Sequence, residues 1–312
     1  MRACLRRRDG FALVAVLWVL VVAAGVAAAL HGRARAGRAA AAHAEATVAA
    51  TWAARAALAL SLDALDRRLR RAVVAFDLDM AGDTLLPPLA WTGNGAAARV
   101  VITDARTRVS LNRAAASDLQ TLFRTLGVSP LEAERLADAT LDARDPDDVP
   151  RPLGAEAAAY ARLEPPGRPR NAPFTRVEEL RGVPGFTPAR YALVAPFLTV
   201  SGDGRINVNA APAPVLVTLP GIDPAAARAI VARREAGPVR NVLDLLAALP
   251  AAVRERADAV LGALTDRVAF GPRDVEIAAT ACRQGAPTCV EIRAVVRLDV
   301  GSAWRVISVS ES

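Results

Sequence analysis

The sequence predicts an α+β fold: a long N-terminal helix packed on a small antiparallel sheet, with a large α-helical domain inserted into that sheet. Three observations predict it. Residues 11–74 contain no proline and are dominated by Ala, Leu and Arg, all strong helix formers. Runs of alternating apolar and polar residues occur at 98–112 and return at 274–309, the pattern of half-buried strands. Between them lie several helical segments, and strands that bracket helices read most simply as one sheet with an inserted helical block.

The helix comes first. Phe11–Leu30 carries no charge, and about 20 such residues span a bilayer. The run is longer than the apolar core of a removed secretory leader. Beyond it, Val48, Trp52, Ala56 and Ala59 keep helical spacing, so the second half reads as amphipathic. Residues 76–95 read as a loop by their Gly, Pro and Asp. In 98–112, two β-rich runs flank Asp104-Ala105-Arg106 and predict a hairpin. A helix pair follows at 116–127 and 129–145, started by Ser129-Pro130, then a proline-rich connection at 165–174 and a second short pair to residue 200. A Gly-Asp-Gly turn leads to a strand at 205–209 and three short helices at about 212–218, 224–235 and 241–248. The segments 109–122 and 206–219 repeat one another faintly: a short strand, an Asn, alanines and a helix ending in Thr-Leu. The predicted units are therefore 1–10, the helix 11–75, the sheet 96–112 plus 265–312, and the helical domain 113–264.

Charge is distributed unevenly. All 39 basic residues are arginine and the formal charge is +7. Residues 1–38 hold seven arginines against Asp9 alone, so the excess flanks the apolar run. Basic flanks of a membrane segment explain the high pI better than a nucleic-acid surface does. The positive-inside rule puts the N-terminus in the cytoplasm, but only weakly, because arginines also follow the apolar run. Of the three cysteines, Cys282 and Cys289 lie close together across RQGAPT. They predict either a disulfide closing a hairpin-like loop or two unpaired thiols. No nucleophile elbow, Cys/His pairing or phosphate loop is present, and both histidines, His31 and His43, lie on the N-terminal helix. No enzyme activity is expected.

Three stretches carry the functional reading. Arg8-Asp9-Gly10-Phe11 stands directly before the apolar run and resembles the prepilin leader of type IV pilins and type II secretion pseudopilins. The resemblance implies peptidase cleavage between Gly10 and Phe11, N-methylation of Phe11 and retention of the helix; an uncut anchor is the alternative. Most members of that family carry a glutamate where this chain has Ala15. A carboxylate in the bilayer is costly unless paired, and a subunit without it cannot pair with the terminal amine of a subunit ahead, which suits a tip position. The absence is a feature of K-type minor pseudopilins. VVITDARTRVSLN, ADATLDARDPDD, GAEAAAY, RNAPFTRVEELRGVPGF and INVNAAPAPVLVTLPGI resemble that family's characteristic segments over nearly the whole chain. The resemblance implies a pilin-like fold whose inserted domain is SAM- or helix-hairpin-helix-like, an inner-membrane location with a periplasmic domain, and I- and J-type minor pseudopilins as partners. Prepilin peptidase, secreted substrates and the outer-membrane secretin follow as further partners.

Residues 219–246 resemble a helix-hairpin-helix. The second glycine of a DNA-binding version is Asp223 here and its basic position is Ala225, so a structural hairpin is favoured, and no nucleic acid is expected. A membrane-anchored DNA receptor is the alternative function. Residues 177–194 form a second hairpin of the same type. The run LDARDPDD clusters Asp142, Asp145, Asp147 and Asp148 around a turn, an arrangement that suits calcium, which the resemblance also implies; a solvated acidic turn is the alternative. Asn171 and Glu178 are further candidate ligands.

Overall fold

The computed structural model describes residues 9–71, 84–93, 95–299 and 304–311. Helix α1 (Asp9–Arg71) is 63 residues long, about 95 Å at 1.5 Å per residue. Its side chains from Leu13 to Glu45 are exposed. From Ala46 onward it lies on a five-stranded sheet made of β1 (Thr84–Gly93), β2 (Ala96–Asp104), β7 (Asp274–Arg283), β8 (Cys289–Leu298) and β9 (Trp304–Glu311). The strand order is β1-β2-β7-β8-β9, antiparallel at every step. Ala50, Ala53, Ala54, Ala57 and Leu65 meet alternate residues of three strands: Ala98, Val100 and Ile102; Val275, Ile277 and Ala279; Ile292, Ala294 and Val296. The period-2 pattern places these on one face. Alanines on both partners let the helix approach the sheet closely.

The fold corrects two readings of the sequence. Thr84–Gly93 is a strand, not a loop, and it forms the hairpin with β2 through the pair Gly93↔Ala96. Pro87 and Pro88 suggested a loop. The sheet accepts them because β1 is an edge strand with register shifts between Thr84 and Leu86 and between Leu86 and Leu89. The second correction concerns Asp104–Arg106, which is not a hairpin turn. The Asp104 carboxylate accepts the Arg106 N–H at 2.9 Å, and the buried Thr107 hydroxyl donates to the Asp104 carbonyl at 2.7 Å. This tight turn sends the chain out of the sheet. Both sides of β2 are already occupied by β1 and β7, so residues 109–110 pair elsewhere.

The inserted domain has its own core, which includes Leu119, Leu122, Phe123, Leu180, Leu216 and Leu245. Its elements are β3 (Val109–Ser110), α2 (Ala116–Thr125), α3 (Pro130–Arg144), α4 (Ala157–Tyr160), α5 (Pro188–Val194), β4 (Leu198–Thr199), β5 (Ile206–Asn207), α6 (Ala213–Leu216), α7 (Pro224–Glu235), α8 (Val242–Ala248), α9 (Ala251–Ala259), α10 (Leu261–Arg267) and β6 (Val268–Ala269). Helices α9 and α10 extend the block beyond the three short helices read from the sequence.

The faint sequence repeat is a structural duplication. β3 pairs in parallel with β4, and β5 pairs in parallel with β6. Asn112 donates to the Phe174 and Val200 carbonyls, each at 2.9 Å, and accepts the Phe174 N–H at 2.8 Å. Asn209 does the same with Val239 and Phe270, donating at 2.8 and 2.9 Å and accepting at 2.7 Å. Arg144, ending α3, donates to the Leu111 and Ala114 carbonyls; Arg234, near the end of α7, donates to those of Val208 and Ala211. Each copy is thus a strand–Asn–helix–helix–Arg unit closed by a return strand. Each Asn satisfies three backbone groups that no regular element reaches.

The two units meet at a charged junction. Asp203 takes a bidentate pair from Arg106 at 2.7 and 3.2 Å and a further contact from Arg273 at 3.2 Å. Asp104 is fully buried and accepts from Asn207 at 2.9 Å. Burial raises its pKa from the ordinary 3.8 to about 6, although the Asn207 and Arg106 hydrogen bonds work the other way. Burial also acts to raise Asp203, but the Arg106 hydrogen bonds and charge reverse it and hold that carboxyl near 2. A cleft of about 440 Å³ separates the outer sheet face from the inserted domain and is crossed by the ion pairs Arg108–Glu276 and Arg293–Glu178.

Candidate functional site

The acidic stretch lies where the two copies of the repeat differ most. In the second copy, Arg234 is followed five residues later by Val239, through a Gly237-Pro238 turn. In the first, residues 145–173 separate Arg144 from Phe174. This insertion holds most of the acidic residues, and they do not act alike. Asp142, on α3, is fully buried. Its carboxylate accepts the N–H groups of Ala155 at 2.8 Å and Arg151 at 3.2 Å, and the Arg151 guanidinium lies 3.4 Å away. Burial raises its pKa against those hydrogen bonds. Gly154 is required beside it, because a Cβ there would stand 1.9 Å from Asp142 Oδ2. Asp142 is therefore the brace that folds residues 151–155 back on α3.

The other acids surround oxygen atoms that lack donors. Asp147 Oδ1 accepts the Val149 N–H at 2.9 Å, and Asp148 Oδ1 accepts from Asn171 at 2.8 Å. Asn171 also donates to the Asp147 carbonyl at 3.0 Å and holds a positive φ of 48°. Asp145 Oδ1, Asn171 Oδ1 and both carboxylate oxygens of Glu156 are buried without a hydrogen-bond partner. Glu156 is 7% exposed. Burial raises its pKa first, and the charges of Asp142, Asp145, Asp148 and Asp147 raise it further. Burial and the Asp147 charge raise Asp145 in the same way.

The structure thus brings Asn171 to the acidic turn and leaves Glu178 elsewhere, at the cleft, where it accepts from Arg293 at 3.3 Å. Sequence reasoning does not single out Glu156. Its signal there is one carboxylate in the alanine-rich run GAEAAAY. Among the described residues, no group of three or more His, Cys, Asp or Glu side chains is already gathered as a metal centre. What the insertion offers is hard oxygen donors, several of them unsatisfied.

Residues 219–246, read from the sequence as resembling a helix-hairpin-helix, are closed against phosphate. Asp223 caps α7 by accepting the N–H groups of Ala225 and Ala226 at 3.0 and 2.8 Å, and Arg256 pairs with the same carboxylate at 2.5 Å. The Ala226 hydrogen bond above all holds the Asp223 pKa below the ordinary carboxylate range. The amides that would grip a phosphate are already used. Gly221, at φ 75°, lets the turn approach α9, where a Cβ would meet the Ala257 Cα at 3.0 Å.

At the N-terminus, Gly10 and Phe11 lie within helical backbone, and Ala15 is exposed on the apolar run. Residues 1–8, which include Cys4 and most of the leader expected from the sequence, lie outside the described residues. The helix is long and apolar enough to cross a membrane. Cys282 and Cys289 are joined by a disulfide between paired positions of β7 and β8, with a Cα–Cα distance of 4.0 Å. Beside it, the Thr288 hydroxyl lies 3.2 Å from His43 Nδ1, which ties the loop to α1.

Comparison with known proteins places this architecture. Two family models, both described as type II secretion system protein K, match residues 98–203 and 206–266, together more than half of the chain. The chain belongs to the type II secretion protein K family. The boundary between the two models falls between the two copies of the structural repeat. The protein of that name from Pseudomonas aeruginosa is 32% identical over 191 residues, covering 54% of this chain and 57% of that one. The Pectobacterium carotovorum protein is 26% identical over 224 residues, 65% and 66% of the two chains. The chain thus spans less than two thirds of either relative. A chain in the crystal structure of the GspK-GspI-GspJ complex from the enterotoxigenic Escherichia coli type 2 secretion system aligns with a TM-score of 0.68 at 18% identity, covering 84% of this chain and 95% of that one. The likeness shows the fold: a long N-terminal helix, a sheet and helical regions.

Proposed function

We propose that this protein K family member is the minor pseudopilin at the tip of the type II secretion pseudopilus, where it takes part in initiation and length control. Ala15 is the observation that carries the tip assignment. A subunit with no carboxylate there has nothing to offer the terminal amine of a subunit ahead of it, so it is suited to have none. In this reading the leader is cut between Gly10 and Phe11, and Phe11 is methylated. The chain spans the inner membrane once, with the N-terminus cytoplasmic and the sheet and inserted domain periplasmic. I- and J-type minor pseudopilins are its partners, a reading supported by the likeness to a chain of the GspK-GspI-GspJ complex. The inserted domain, read as SAM- or helix-hairpin-helix-like, limits growth and meets secreted protein or the secretin. The role is structural and not enzymatic.

The acidic insertion is proposed to hold calcium, with Asp145, Glu156, Asn171 and the Asp147-Asp148 turn as donors. The fit rests on the buried, unpartnered oxygens of Glu156, Asp145 and Asn171. When bound, the ion would add positive charge beside the Arg151 guanidinium, which already lies 4.0 Å from Asp145, and the residues would fix the insertion against α3. Asp142 stays a brace rather than a ligand.

Mass spectrometry of membrane-expressed protein tests the processing: the expected mature N-terminus is methylated Phe11, and any other refutes it. Ala15→Glu tests the tip role. Impaired pseudopilus formation is expected, and unchanged assembly and secretion count against it. For calcium, chelator is expected to lower the melting temperature of the wild type but not of Glu156→Gln. Equal melting with and without chelator refutes the site.

A further inference from the structure

Among the described residues, the arginines that follow the apolar run have no acidic partner. Arg33, Arg35 and Arg38 are exposed on α1, and no Asp or Glu occurs between Asp9 and Glu45. Glu45 itself faces Arg283 at 3.9 Å. Among the described residues, no carboxylate lies within ion-pair distance of the three. Arg38 donates to the Ala34 carbonyl of its own helix at 3.2 Å. Three such charges on one exposed helix are placed to meet an external anion.

We propose that Arg33, Arg35 and Arg38 form a collar that binds anionic phospholipid headgroups where α1 leaves the bilayer. The inference rests on the membrane-spanning reading of Phe11–Leu30. Their depth fits. The three Cα atoms stand about 4.5, 7.5 and 12 Å beyond Leu30 along the helix. The headgroup layer is roughly 5–7 Å thick on each side of the hydrocarbon. Arginine stems long enough to fold back along the helix bring all three guanidinium groups to phosphate level. Guanidinium also matches phosphate with paired donors.

The angular arrangement favours lipid over a protein partner. At 3.6 residues per turn, Arg35 is rotated about 200° from Arg33, and Arg38 about 60° from Arg35. The charges therefore ring the helix. A partner helix would cover one stripe of about 100°, whereas headgroups surround the helix on all sides. The collar also accounts for arginines on the translocated flank, where the positive-inside rule disfavours them.

The test uses the full chain in detergent micelles offered an equal mixture of phosphatidylglycerol and phosphatidylcholine, read by native mass spectrometry. Each arginine near an anionic surface contributes about fivefold, so the wild type is expected to retain phosphatidylglycerol at least tenfold over phosphatidylcholine. Arg33→Gln/Arg35→Gln/Arg38→Gln is expected to lose most of that preference, and the triple lysine variant to keep much of it. An unchanged preference in the glutamine variant refutes the collar. So does loss of the whole preference on changing Arg35 and Arg38 alone, which points to a one-sided site. Displacement of the lipid by millimolar inorganic phosphate also overturns the proposal, because it marks a simple anion site. Failure of wild type and variant alike to enter nanodiscs of either lipid overturns the membrane-spanning reading itself, and the collar with it.

Discussion

The buried carboxylate at the junction makes a specific prediction about pH. Asp104 is 0% exposed, and its pKa rises from 3.8 to about 6 on folding. Such a rise corresponds to roughly 3 kcal/mol. The sign follows from which state binds the proton more tightly. Below about pH 3.8 the group is protonated in both states and costs nothing. Between 3.8 and 6 the unfolded chain ionises while the folded one does not, so stability falls as pH rises, and above 6 the full penalty is present. Asp203 acts in the opposite sense: its pKa near 2 gives stability that is present above 3.8 and lost as pH falls toward 2. The two windows are therefore separate. In a domain of this size, roughly 3 kcal/mol shifts the melting temperature by about 6 °C. Thermal melts of the full chain in detergent from pH 4 to 7 should show that slope, to which the raised carboxyls of Asp142, Asp145 and Glu156 add, and Asp104→Asn should lessen it. The variant also turns an amide toward the Asn207 amide, at a cost of about 1–2 kcal/mol at any pH. The slope, and not the absolute stability, is thus the readout. An equal slope in wild type and Asp104→Asn would refute the assignment of the penalty to this residue.

Three further outcomes are expected. Arg234→Met strands the Val208 and Ala211 carbonyls in the second repeat and should cost about 2–4 kcal/mol in a denaturant melt, whereas Arg240→Ala, on an exposed side chain, should stay within about 0.5 kcal/mol. Gly154→Ala drives a methyl into Asp142 Oδ2 and should lower the melting temperature by several degrees, with limited proteolysis first appearing in residues 145–171. Replacing Cys282 and Cys289 by alanine should cost about 2–3 kcal/mol, the loop-closure value for so short a ring, and reducing agent should then have no further effect on the melt.

Several features could be read from the chain because they depend on local periodicity. The long helix, the alternating strands β7, β8 and β9 and the Ser129-Pro130 start of α3 all rest on residues close in sequence. The repeat was legible only as a faint likeness, because its invariant parts are few: an Asn, an Arg and two short strands. What makes Asn112 and Asn209 equivalent is the set of distant carbonyls they hold, and no spacing within the sequence reveals those. The acidic site was half legible. A run of aspartates announces a cluster, but only folding separates Asp142, used up by backbone N–H groups, from Glu156, buried with none.

The sequence by itself determined the helix, its membrane-length apolar run, the missing carboxylate at Ala15 and the resemblance to protein K, because each is a property of contiguous residues. The tertiary structure decided the rest. Pro87 and Pro88 could sit in a strand only because that strand falls at a sheet edge, and Asp104 turned the chain away because both neighbours of β2 were already in place. Strand pairing and burial join residues far apart in the chain, so their outcome is set by which groups are left to be satisfied once the other elements have packed.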